Sequence, residues 1–140
     1  MKKRFTRLFV VLLALVCGAY FGSSTASAHK VTPKYVAKLV NKDLKEPDET
    51  GTTKFKWIKK DQAFEAVLDP NCDMYQQMDS GQVSVWESYT KAVKYESKTL
   101  KKSGYSKYSN FAVINPEDHS KIFLQIAKGK TLYDVKDDLQ

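Results

Sequence analysis

Two apolar periods alternate along this chain, and the switches between them mark its elements. From residue 33 the apolar positions Val36, Leu39, Val40 and Leu44 return at helical spacing, which predicts an amphipathic helix over residues 33–45. Thr32 and Pro33 suit its start, because a threonine hydroxyl can accept from a free amide and proline loses no bond at the first helical position. EPDETG then ends it. The pattern leaves open whether this helix joins the core or sits at its periphery.

The period next becomes two. Phe55 and Trp57 alternate with Lys54 and Lys56, and Phe64, Ala66 and Leu68 alternate with Glu65 and Val67, on either side of a polar KKDQ turn. This is the pattern of a hairpin with one buried face. DPN stops it and predicts a helical turn, with Asp69 as cap and Pro70 as first residue, which MDSGQ interrupts. A longer helix is expected from Ser84, where Ser84 and Glu87 have capping-box spacing. Trp86, Tyr89, Val93 and Leu100 form its apolar stripe, and Gly104 is suited to end it.

The remainder reads as strands. SNFAVINP, IFLQIA (with Ile122, Leu124 and Ile126 facing one way) and TLYDV are separated by PEDHSK and a tight KGK turn, and DDLQ is expected to fray. The order helix-ββ-helix-βββ predicts an α+β two-layer sandwich. In it one long amphipathic helix packs on an antiparallel sheet of about five strands.

Residues 1–28 change how the charge is read. MKKRFTR, the apolar run Leu8–Phe21 and a small-residue tail ending Ala26-Ser27-Ala28 have the layout of a secretory signal peptide cleaved after Ala28. The run has 14 residues, whereas a spanning helix needs about 20. Val16 is too bulky for a lipoprotein cleavage site before Cys17. The leader holds four of the 23 basic residues and none of the 16 acidic ones, leaving 19 lysines against 16 acids, net +3 in place of +7. Without arginine there is no bidentate fork for phosphate or guanine, which argues against nucleic acid as partner. Residues 29–140 suffice for one small α+β domain. The expected location is extracellular, with cell-wall association allowed. Export without a disulfide framework suits a Gram-positive envelope.

Few residues offer chemistry. Cys72 is the one cysteine beyond the leader. In the first turn of a helix capped by Asp69 its thiolate would be favoured by the free amides, but no histidine lies in a recognisable catalytic signature with it. It reads first as a structural free thiol, and second as the link of a disulfide dimer of an otherwise monomeric protein. Cleavage after Ala28 would make His29 the first residue, and with His119, the other histidine, it resembles the histidine brace of exported copper proteins such as the lytic polysaccharide monooxygenases. That resemblance covers two residues and a processing site, and implies a copper site at His29 and His119. Glu96 is expected to snorkel from the long helix or pair with lysine. No pair of acids, phosphate loop or serine triad emerges, and no cofactor is expected.

KYESKTLKKSGYSKYSNF is the densest unusual stretch. Lys94, Lys98, Lys101, Lys102 and Lys107 are interleaved with Tyr105 and Tyr108. Lysines neutralise charge and aromatic rings stack, so the set suits an anionic polymer such as a wall teichoic acid. The leading expectation is an exported, non-catalytic interaction module whose partner is a protein or cell-wall polymer. A small secreted enzyme or metal protein using His29, His119 or Cys72 is the alternative, and an inhibitor or immunity-type protein the third.

Overall fold

In the computed structural model, which describes residues 31–44 and 53–139, α1 spans Pro33–Asp43. The Thr32 hydroxyl accepts from the Tyr35 amide at 3.2 Å, so the expected cap forms. The leader, His29 and EPDETG lie outside the described residues. After α1 come β1 (Lys56–Ile58), β2 (Ala63–Val67), α2 (Asp73–Asp79) and α3 (Ser84–Lys102). A 3-10 turn at Ser106–Tyr108 leads into β3 (Asn110–Ile114), β4 (Ile122–Ala127), β5 (Lys130–Asp134) and a last 3-10 turn at Val135–Asp138.

The class is α+β, with a five-stranded sheet in the order β1-β2-β3-β4-β5. Its antiparallel character is broken at one place, where β2 and β3 run parallel with Phe64 opposite Phe111. The reason is the connection. A tight turn reverses a strand, but the segment between β2 and β3 includes α2 and α3, which carry the chain back to the end where β2 began. The sheet is therefore mixed. α3 lies against β3, β4 and β5, and α1 packs beside β1.

Alternation decides which side chains meet these helices. Phe55, Phe64, Ala66, Leu68, Phe111, Val113, Leu124 and Ile126 are buried, as are Trp86, Val93 and Leu100 from α3 and Val36 and Val40 from α1. Phe64 stacks on Phe111 with centroids 5.4 Å apart, and Phe55 meets Phe111 edge-on at 5.4 Å. Rings packed this way hold large apolar areas in defined orientations. α1 thus belongs to the core.

Four local expectations change. Val83, not Ser84, is the N-cap of α3, and no side chain caps it, so the capping box does not form. Asp69 accepts from the Asn71 amide at 2.9 Å in a turn of its own, and α2 starts later, with Cys72 as its N-cap. Ile114 pairs with Ile122 but Val113 with Leu124. This bulge inserts Phe123 and turns Ile122 away from Leu124; Phe123 packs on Trp86 and Tyr75, centroids 6.2 and 6.3 Å away. Finally, Asp137 and Asp138 do not fray: Asp134 caps their 3-10 turn through the Lys136 amide, and the Tyr133 hydroxyl donates to Asp138 at 2.6 Å.

Candidate anion-binding surface

Strand direction determines which turns share an end of the sheet. Phe111 is level with Phe64 and Ile126, and Ile58 with Ala63. The β1–β2 turn, the start of β3 and the β4–β5 turn therefore lie together, and the C-terminus of α3 arrives beside them. Hydrogen bonds tie them. Asn110 Nδ2 donates to the Gln62 carbonyl at 3.1 Å. Ser97 Oγ donates to the Ser109 carbonyl at 2.5 Å and accepts from the Gly129 amide at 2.8 Å.

The β4–β5 turn is as tight as KGK suggests. Lys128 and Gly129 both take positive φ, 50° and 79°, the signature of a two-residue turn matched to strand twist. Gly129 lies so close to α3 that a Cβ there would stand 2.8 Å from Lys98 Cγ. The flanking Lys128 and Lys130 are thereby set next to Lys98.

This end carries Lys59 and Lys60 from the first turn, Lys98, Lys101 and Lys102 from α3, Lys107 from the 3-10 turn, and Lys128 and Lys130 from the last hairpin, all exposed. Asp61 stands among them, with the Glu65 carboxyl hydrogen-bonded to it. Lys101 and Lys102 also complement the carbonyl end of α3. At the opposite end stand Asp73, Asp79, Glu87, Glu117, Asp118, Asp137 and Asp138. Two lysines there are paired, Lys121 with Asp118 at 3.5 Å and Lys136 with Glu87 at 3.3 Å. The described residues thus form a molecule with a basic and an acidic pole. A shallow concavity of about 360 Å³, lined by Asn115, Lys121, Ile122, Phe123, Gln125 and Tyr133 among others, opens toward the acidic pole.

The lysines and tyrosines singled out in the sequence have unequal places. Lys98, Lys101, Lys102 and Lys107 are exposed, and Lys94 and Tyr105 half-buried. Tyr108 is 5% exposed. Its ring packs on Trp57 and Phe64 with centroids 5.3 and 6.3 Å away, and Lys107 Nζ sits 4.8 Å above it. Tyr108 therefore steadies Lys107 from beneath. Lys59 and Lys60, with Lys54 and Lys56, are the first-hairpin lysines that the sequence offers as an extension of this set, whereas Lys128 and Lys130 lie outside it. They are far from residues 94–108 along the chain, and only the pairing of strands brings them in.

Cys72 is 4% exposed, and burial pushes its thiol pKa up, with Asp69 adding to the effect. Asp69, and not the adjacent Asp73, supplies that charge. His119 is exposed in the β3–β4 turn, and no group of three or more His, Cys, Asp or Glu side chains is arranged to hold a metal among the described residues. Glu96 overturns its expectation. It neither snorkels nor pairs: it is fully buried, and neither carboxyl oxygen has a hydrogen-bond partner. Burial, with Asp43 adding to it, pushes its pKa up to about 8. No helix among the described residues is long and apolar enough to cross a membrane. Comparison of the chain with protein-family models, with curated proteins and with solved structures finds no match.

Proposed function

We propose that this is an exported, non-catalytic binding module that uses its basic pole to hold a phosphate-rich polymer of the cell envelope. The observation that carries the reading is the gathering of Lys98, Lys101, Lys102, Lys107, Lys128 and Lys130 onto one end of the sheet, with the turns tied through Ser97. A polyanion gains from many lysines at once through release of its counterions, without any single shaped pocket. The acidic pole sharpens the preference, because it repels the same polymer and turns the basic end toward it. The secretory layout of residues 1–28 supports delivery to that compartment.

The test is retention on Gram-positive cells, and binding to long-chain polyphosphate, as salt is raised. Lys98→Glu, Lys101→Glu and Lys102→Glu together are expected to lower affinity at least tenfold and to flatten its salt dependence. The same reversal at Lys34, Lys38 and Lys42, on the outer side of α1, serves as control. Equal loss from both sets, or none from the first, overturns the reading.

A further inference from the structure

Asp43 and Glu96 are the ionisable side chains among the described residues that keep buried oxygens without any hydrogen-bond partner. For Glu96 both oxygens are so placed, and for Asp43 it is Oδ2. They stand on different helices, Asp43 at the last position of α1 and Glu96 in the C-terminal half of α3. A buried carboxylate with no partner is costly, and a second carboxylate whose charge reaches it, as that of Asp43 reaches Glu96, adds to the cost.

Val36, Val40 and Leu44 are buried. The Asn41 carboxamide receives the Phe55 amide at 2.7 Å and donates to the Phe55 carbonyl at 2.9 Å. One side chain thus occupies both backbone groups of the residue that precedes β1, as a neighbouring strand would. α1 closes this edge of the sheet.

We propose that α1 is a proton-held lid over the edge of β1, docked while Asp43 and Glu96 retain protons and released when both ionise. The charged groups around the pair leave them without compensation. Lys42 lies beside Asp43 and lowers its pKa, but burial outweighs this and holds it near 6. β3 and β4, beneath α3, carry no titratable side chain. β5 brings Lys130, Tyr133 and Asp134, the last bonded to Trp86 Nε1 at 2.7 Å. α2 brings Asp73, Tyr75 and Asp79, the 3-10 turn brings Tyr105, Lys107 and Tyr108, and β1 brings Lys56. Among the described residues, Asp43 is the one whose charge bears on Glu96. Release would free the Phe55 amide and carbonyl, and an edge with free backbone groups is a template for another strand.

The experiment is backbone hydrogen exchange on the full exported protein from pH 5 to 9.5, corrected for the intrinsic pH dependence of exchange. Protection of the Phe55 amide and of α1 is expected to fall from pH 5 to about 8 and then level off, each carboxyl contributing up to tenfold per pH unit below its docked pKa: both below about 6, Glu96 alone from 6 to 8. Protection of β3 and β4 should stay level. Glu96→Gln is expected to remove most of the fall, and Asp43→Asn to reduce its steepness below pH 6 toward that of one proton. Constant protection of α1 in the unaltered protein overturns the proposal, as does an unchanged fall in Glu96→Gln. If Glu96→Gln does not fold, an Asp43→Asn profile as steep below pH 6 as that of the unaltered protein overturns it equally.

Discussion

Gly129 and Gly104 share a backbone conformation and differ in surroundings, so together they separate two costs. Both have positive φ, 79° and 86°. Around Gly104 a Cβ would meet nothing within 4 Å, whereas at Gly129 it would lie 2.8 Å from Lys98 Cγ and 3.1 Å from Lys98 Cα. The lysine stem can swing aside, but the Cα belongs to a helix and cannot. Gly104→Ala is therefore expected to cost about 1 kcal/mol, the strain of a left-handed alanine. Gly129→Ala should exceed it by at least a further ~1 kcal/mol, the usual penalty for overpacking. Denaturant midpoints of the two variants measure the difference, and equal midpoints would mean that the hairpin is not pressed against α3. The same contact places Lys128 and Lys130, so Gly129→Ala should also weaken binding to polyphosphate.

At the scale of elements, α1 is the least firmly joined. Its apolar face is narrow, and Asn41 ties it to both backbone groups of Phe55. Truncation to alanine removes two hydrogen bonds and strands a buried amide. Asn41→Ala should accordingly destabilise by roughly 1–3 kcal/mol. Because Asn41 holds only α1, exchange protection should drop for α1 and Phe55, while the amides of β3 and β4 follow the global stability alone. A uniform drop across the sheet would place α1 inside the main cooperative unit. α3 stands in contrast, since its buried stripe covers three strands and its Ser97 hydroxyl serves the turns on both sides.

For the whole molecule, the buried carboxyls set a pH dependence of stability whose sign is definite. Asp43 is held near 6 and Glu96 near 8, above their ordinary 3.8 and 4.5. The folded chain therefore binds more protons than the unfolded chain between these limits, and stability falls as pH rises. The contribution is fully present below about pH 4 and is lost as pH climbs through 6 and then 8. The Glu96 part amounts to a few kcal/mol, at about 1.4 kcal/mol per pKa unit. The denaturant midpoint should be lower at pH 8.5 than at pH 5, and Glu96→Gln should narrow that gap. A midpoint that rises over this range would show that another group dominates. Glu96 was legible as a stripe position, three residues after Val93 and four before Leu100. What the pattern lacked was any sign of a partner, because the nearby carboxyl is on another helix.

Local physics determined the elements from the sequence itself. Turn residues and apolar period placed α1, both hairpins, α3 and the inward faces of β1 and β2, since these depend on neighbours a few residues away. The lysine run at the end of α3 was visible for the same reason. Tertiary structure decided what depends on remote pairing. Parallel alignment of β2 with β3 brings three separate turns to one end of the sheet, and so divides the charge into two poles that the net value conceals. It also sank Tyr108 and Cys72 into the core, and brought the charge of Asp43, on another helix, to bear on Glu96. Residues far apart in the chain meet only after strand order and direction are chosen, and that choice rests on the summed packing of the core, not on any one segment.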